Sequence, residues 1–303
     1  MNKITVVGSF VMDLIGTMES FPLEGQTIIG KTFKTLPGGK GANQAVAASR
    51  LGGNVEMIGM VGNDAFGDTF KKVFDEEKIT INHVLTSKES PTAVGLIQIN
   101  CKGENKIVVI PGANYDYTIE ALQKVKDTIK SSKLVLAQLE LRPEVTFALI
   151  DLCHELGVPI VLNPAPAIPI DASYLKKVTY LTPNETELEI ISKMKIQSLE
   201  DTKLAIQKLL DIGVKNVIAT LGSKGALIGN ESGFEHVPGY TVDVVDTVAA
   251  GDAFNGAFAY GVVEGFTLNQ AVRYANAVGA LTVTKPGAIP SLPSKAEVDK
   301  FIV

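Results

Sequence analysis

Val244-Val245-Asp246-Thr247-Val248-Ala249-Ala250-Gly251-Asp252-Ala253-Phe254-Asn255-Gly256 decides how the rest of the 303-residue sequence is read. An apolar, β-branched run ends at Asp246, small residues follow, and 253–263 reads as a buried helix. The first amides of a helix lack intrahelical partners, and the helix dipole is positive at that end. Ala249, Ala250 and Gly251 have almost no side chain, so an anion can approach those amides closely. Asp252 sits at the mouth, where a carboxylate can take a proton from an incoming hydroxyl. A phosphate cradle beside such a carboxylate is what phosphoryl transfer to an alcohol requires. An Asp at a helix start also caps, and small residues at a strand–helix turn also serve packing. The remaining chain has to weigh between these.

Apolar runs at 4–8, 55–61, 134–139, 160–162, 178–181 and 217–220 read as strands. Between them, 41–51, 66–77, 118–130, 144–156 and 199–212 carry apolar residues at i, i+3, i+4 spacing and read as helices. Strands apolar throughout and alternating with helices predict an α/β fold with a doubly wound, mostly parallel sheet covered on both faces. Two segments break the rhythm. Residues 13–36 are short alternating pieces with turn residues, and 92–110 hold two β-like runs around Lys102-Gly103-Glu104-Asn105, a hairpin signal. They predict a small β-sheet over 13–36 and 92–110 standing off a main domain of 1–12, 37–91 and 111–303. Such a sheet covers a cleft or pairs with its twin in a dimer; a spare edge sheet is the plainer reading.

A length of 303 fits two domains of ~150 residues or one large α/β domain. With 46% hydrophobic and 20% charged residues the chain can bury a full core. A net charge of -5 without any basic run argues against nucleic acid. Cys101 and Cys153 are far apart and form no CxxC pair, which implies neither a disulfide framework nor zinc and points to a reducing cytoplasm. Lys3 before an apolar run resembles a signal peptide, but Asp13 cuts the run short and no cleavage site follows. No segment approaches the ~20 apolar residues of a membrane span. Gly25-Gln26-Thr27-Ile28-Ile29-Gly30-Lys31-Thr32 matches the Walker pattern letter for letter. A true P-loop follows a buried strand and opens a helix, and 33–36 run straight into Pro37-Gly38-Gly39, so the match is rejected.

Ligands of open parallel sheets bind outside the carboxyl ends of the strands. Those ends lead here to Ser9 and Asp13, Glu140, Asn163, Asn184 and Glu187, and Thr220 to Gly225. Each is an ordinary turn or cap residue alone; jointly they favour a site. Pro37-Gly38-Gly39-Lys40-Gly41-Ala42-Asn43-Gln44 opens a helix with almost no bulk, and Asn43 can both donate to and accept from hydroxyls. Asn184-Glu185-Thr186-Glu187 opens another, whose carboxylates suit Mg²⁺ through water or a capped helix start equally well. His83, His154 and His236 match no metal spacing.

Residues 37–45, 163–167, 182–187 and 246–252 closely resemble, in order and spacing, the signatures of the ribokinase group of PfkB-type sugar kinases. The resemblance implies a ribokinase-like three-layer αβα fold and ATP-dependent phosphorylation of the 5-hydroxyl of ribose or 2-deoxyribose. It makes Asp252 the general base and the amides of Ala249, Ala250, Gly251 and Asp252 the γ-phosphate hole. Asp13, Gly39, Lys40, Asn43 and Glu140 then contact the sugar. Asn184, Thr220, Gly222, Ser223, Gly225, Gly251 and Asn276 serve the nucleotide, with Glu187 near Mg²⁺. A monovalent cation, usually K⁺, matches Asp246, Val248, Thr282, Lys285, Gly287 and Ser291. The two β segments become a lid, which in this family often pairs into a homodimer.

One departure bears on the substrate. Ribokinases usually carry a polar residue two positions before the sugar-binding Asp, where this chain has Val11. A buried, unpaired sugar hydroxyl costs ~1–3 kcal/mol, so a sugar lacking the 2-hydroxyl is expected to do at least as well as ribose. Ala253, where the family often has Thr, has no interpretation from sequence. A nucleotide-dependent dehydrogenase would need G-x-G-x-x-G after the first strand, which Gly8-Ser9-Phe10-Val11-Met12-Asp13 lacks. A non-catalytic sugar sensor would not need Asp252. A hexose or nucleoside kinase remains the alternative within the enzyme class.

Overall fold

The computed structural model describes residues 2–302. Its strands are β1 Lys3–Val7, β2 Val11–Thr17, β3 Thr32–Gly38, β4 Asn54–Gly62, β5 Thr80–Ser87, β6 Ala93–Ile99 and β7 Asn105–Ile110. They continue with β8 Leu134–Ala137, β9 Ile160–Leu162, β10 Tyr180–Leu181, β11 Asn216–Thr220, β12 Ala226–Asn230 and β13 Gly233–Val237. Helices are α1 Lys40–Arg50, α2 Ala65–Glu76, α3 Ile119–Lys124, α4 Lys126–Lys130, α5 Pro143–Leu156 and α6 Ala172–Leu175. The later ones are α7 Glu185–Ser192, α8 Leu199–Ile212, α9 Ala250–Val263, α10 Leu268–Thr282 and α11 Lys295–Phe301.

Nine strands form one sheet in the order β13-β12-β11-β10-β9-β8-β1-β4-β5. All neighbours are parallel except the β11–β12 and β12–β13 pairs at one edge. The alternation of side chains along β1 divides the core in two. Ile4 and Val6 join α1, α2, α9 and α10 on one face, and Val7 joins α3, α5 and α8 on the other. This is the expected doubly wound arrangement. From β1 the chain runs outward to β4 and β5 on one side and to β8 and beyond on the other, so the switch point lies between β1 and β8.

The second sheet is separate, with order β3-β2-β6-β7. It begins at Val11, two residues before the expected boundary, because the chain passes from β1 to β2 with only residues 8–10 between them. Nothing helical follows the Walker-like stretch, which leads directly into β3. Among the described residues no helix is long and apolar enough to cross a membrane.

Three local differences have physical causes. The expected helix 118–130 is two helices, because Val125 N–H bonds back to Leu122 O at 3.1 Å and breaks the i−4 ladder. The β-branched run before Asp246 is loop, not strand. Val244 and Val245 are more than 60% exposed, and the amides of Val245 and Asp246 bond only to Val283 O, at 2.8 and 3.2 Å. The edge elements β5 and β13, half exposed, carry mixed polar residues that hide a strand signal.

Candidate active site

α9 ends the loop that carries Asp246. Its N-cap, Ala249, has φ 60° and ψ 6°, a left-handed conformation that costs a non-glycine residue about 1–2 kcal/mol. The Ala250 amide, expected in the phosphate hole, instead bonds back to Thr247 O at 3.4 Å, closing the turn. The helix closes its first bond from Ala253 N–H to Ala249 O at 2.8 Å, so the Gly251 and Asp252 amides lie ahead of the ladder. A Cβ built on Gly251 would meet nothing within 4 Å. The turn is unplugged and faces a cleft of about 240 Å³ lined by Lys40, Asn184, Glu187, Thr220 and residues 249–252.

α1 enters the same cleft from the lid junction. Its N-cap, Gly39, has φ 89°, and a Cβ there would lie 2.7 Å from Val11 N, so only glycine lets the helix start against β2. Asn43 Nδ2 donates to Asp252 Oδ2 at 2.9 Å and Gln44 Nε2 to Asp252 Oδ1 at 3.0 Å. The Asn43 Oδ1 atom is buried without a partner. Glu140, beyond β8, accepts from Ser9 Oγ at 2.5 Å and from the Lys40 amide at 2.9 Å.

Asp13 reaches this cluster from β2. A Cβ on Gly95, opposite it in β6, would lie 2.7 Å from Asp13 Oδ1. Burial, with Glu140 and Asp252 nearby, pushes the Asp13 carboxyl up to about 6. Burial alone would lower the Lys40 ammonium, but Asp252, Glu140 and Glu187 together hold it above its ordinary value. Val11 is buried beside them and offers no polar atom.

Glu187 and Asn184 form a reciprocal cap at α7. Asn184 N–H donates to Glu187 Oε2 at 2.9 Å, and Glu187 N–H to Asn184 Oδ1 at 2.8 Å. Burial raises the Glu187 carboxyl above its ordinary value. The capped helix start is thus observed, and the carboxylate also lines the cleft. Among the described residues no three His, Cys, Asp or Glu side chains are grouped to hold a metal. A divalent ion beside Glu187 would therefore take most of its ligands from phosphate and water.

A model of the "pfkB family carbohydrate kinase" matches residues 1–295. The chain belongs to that family. This pfkB kinase is 35% identical over 299 residues to a ribokinase of Haemophilus influenzae, covering 99% of this chain and 98% of that protein. It is 36% identical to a deoxyribokinase of Salmonella typhi, at 99% and 98% coverage. Among solved structures, Arabidopsis thaliana ribokinase complexed with ribose and ATP superposes with a TM-score of 0.94 at 32% identity, covering 99% and 98% of the two chains. Its αβα sheet and separate small sheet thus have a direct counterpart.

The kinase brings the remaining expected residues together unevenly. Thr220 lines the cleft, and Gly222 and Ser223 start the short turn after β11 that Gly225 closes at φ 96°. Asn276 gives its amide to the carbonyls of Val237 and Pro238, both at 3.2 Å, so its nitrogen braces the end of β13. Asp246 accepts from Val248 N–H at 3.0 Å and from Gly287 N–H at 2.9 Å, tying the loop before α9 to the one after α10. Thr282 and Ser291 are buried in that junction, with hydroxyls bonded to Val278 O and Ala288 O. The Lys285 ammonium turns outward to Glu297, 2.6 Å away.

Thr182, Thr247 and Asn255 also line the cleft, and Gln44 and Gln138 lie behind Asp252, none with a role expected from the sequence. Thr182 had a readable signal, since it ends a strand run of the same sheet. Gln44 had none beyond following Asn43.

Proposed function

We propose that this pfkB kinase transfers the γ-phosphoryl group of ATP to the 5-hydroxyl of 2-deoxy-D-ribose and D-ribose. The single observation that carries the reading is the open turn at 249–251 with Asp252 held beside it, in the cleft where the carboxyl ends of the strands meet. The sugar hydroxyl gives its proton to Asp252 as its oxygen bonds to the γ-phosphorus, and the bond to the ADP oxygen breaks. The amides of Gly251 and Asp252, with the dipole of α9, stabilise charge on the equatorial oxygens. Asn43 Oδ1, otherwise orphaned, accepts from a second sugar hydroxyl, and Asp13 and Glu140 bracket the ring. Glu187 would hold Mg²⁺ through water, and the ion would supply neutralising charge for the phosphates.

The junction of Asp246, Val248, Gly287 and the carbonyls near Thr282, Lys285 and Ser291 suits a K⁺ ion, whose charge would tighten the loop behind the anion turn. The apolar face of the small sheet suits a second copy of the chain.

Coupled ADP release over 2-deoxyribose, ribose, fructose and adenosine, each with K⁺ or Na⁺, tests this reading. Turnover of the two pentoses with K⁺ stimulation is expected. Turnover confined to fructose or adenosine would replace the substrate, and equal rates in K⁺ and Na⁺ would remove K⁺ specificity.

A further inference from the structure

A row of buried amides runs beneath the cleft. Gln138 Nε2 donates to Gln44 Oε1 at 2.6 Å. Gln44 Nε2 in turn donates to Asp252 Oδ1 at 3.0 Å and to Asn163 Oδ1 at 3.1 Å. Both hydrogens of that nitrogen are used. Asn163 commits its own nitrogen to Thr182 O at 3.2 Å, so its oxygen must face Gln44. A carboxylate oxygen accepts, which leaves one orientation for the Gln44 amide. Gln44 is fully buried and does not line the cleft.

The row also reaches α9 by a second route. Thr182 Oγ1 donates to Asn255 Oδ1 at 2.6 Å, and Asn255 Nδ2 donates to Gly251 O at 2.8 Å. Carboxylate and anion turn are thus braced from one set of strand ends.

We infer that Gln44 is a positioning residue for phosphoryl transfer: its amide fixes the plane of the Asp252 carboxylate, so that one oxygen meets the sugar hydroxyl in line with the phosphate. Asn43 alone cannot do this, since a single bond to Oδ2 leaves rotation about the Cβ–Cγ bond of Asp252 open. Neither Gln44 nor Gln138 lines the cleft.

The inference rests on Asp252 as the base, and the two fail separately. Gln44→Met keeps the length and removes the amide. It is expected to lower kcat about tenfold or more, with KM for ATP and for ribose within about twofold. In an Asp252→Asn background the same change is expected to lower the residual rate by less than about twofold, because residues acting as one unit are not additive. Gln138→Met, one bond further away, should give a smaller fall in kcat with the same non-additivity, and serves if Gln44→Met does not fold. A kcat within twofold of wild type in the folded variant would overturn the inference, as would an equal fall in both backgrounds. Full turnover in Asp252→Asn would remove the base itself.

Discussion

Asn43 donates to Asp252 at 2.9 Å while its own Oδ1, buried, has no partner in the protein. A buried acceptor without a donor costs about 1–3 kcal/mol, and the cleft beside it is where a hydroxyl would repay that cost. Asp252→Asn keeps the shape of the base and removes its proton acceptance. Its kcat should fall roughly a hundredfold or more, while ATP affinity, read by calorimetric titration, stays close to that of the wild type. Near-normal turnover would take Asp252 out of the mechanism.

Asp13 should give the enzyme an acid-sensitive sugar site. Its carboxyl titrates at about 6 rather than the ordinary 3.8, and only the ionised form accepts from two sugar hydroxyls. KM for the sugar is expected to rise as pH falls through about 6, with KM for ATP little changed. The effect on stability has the opposite sign. Between 3.8 and about 6 the folded state holds a proton that the unfolded state has lost, so stability declines as pH rises through this window. Asp13→Asn should therefore melt higher than the wild type at pH 7, by up to about 3 kcal/mol for a shift of about two units. At pH 3.5 the two should melt alike. An unchanged melting temperature at pH 7 would count against the buried charge.

Most of the scaffold was legible because burial on both faces leaves strands apolar throughout, as 4–8 and 134–139 show. The exceptions lie where that cause is missing. The amides of Val245 and Asp246 bond to Val283 O at the end of α10 rather than to a sheet, so the β-branched composition of 244–245 misleads. The exposed edge strand β13 mixes Phe234 with Glu235 and His236 and carries no clear pattern. In the site, Gly39, Asn43 and Asp252 were readable as candidates from the glycine-rich and small-residue segments 37–45 and 246–252 that carry the family resemblance, since an Asp or Gly at a helix start by itself is an ordinary cap. Gln44, Gln138 and Asn255 were not, because an amide buried beneath a cleft looks like any polar residue until its partners, up to 208 positions away in sequence, are placed around it.

Val11 should set the preference between the two pentoses. It is buried at the start of β2, paired with Gly38 and Ala93, and has only methyl groups to present. Val11→Asn is expected to raise kcat/KM for ribose relative to 2-deoxyribose by about tenfold, the value of one hydroxyl gaining a partner. The ratio measured in the same assay decides it, and an unchanged ratio would place the discrimination elsewhere.

The small sheet carries its own prediction. Its register aligns Ile15, Ile97 and Ile107 in one row and Asp13, Gly95 and Val109 in the next, on a single face. Ile107 and Val109 are more than half exposed on that face, an arrangement a monomer rarely keeps. A second copy laid across it would bury the row and wall in Asp13. The wild-type chain should sediment as a dimer and Ile107→Lys as a monomer, since an ammonium has no partner among isoleucines. Because Asp13 shares the face, the monomeric variant should also show a raised KM for the sugar at unchanged KM for ATP. A wild-type chain that sediments as a monomer at micromolar concentration would dismiss the pairing, and a dimeric Ile107→Lys would move it to another surface.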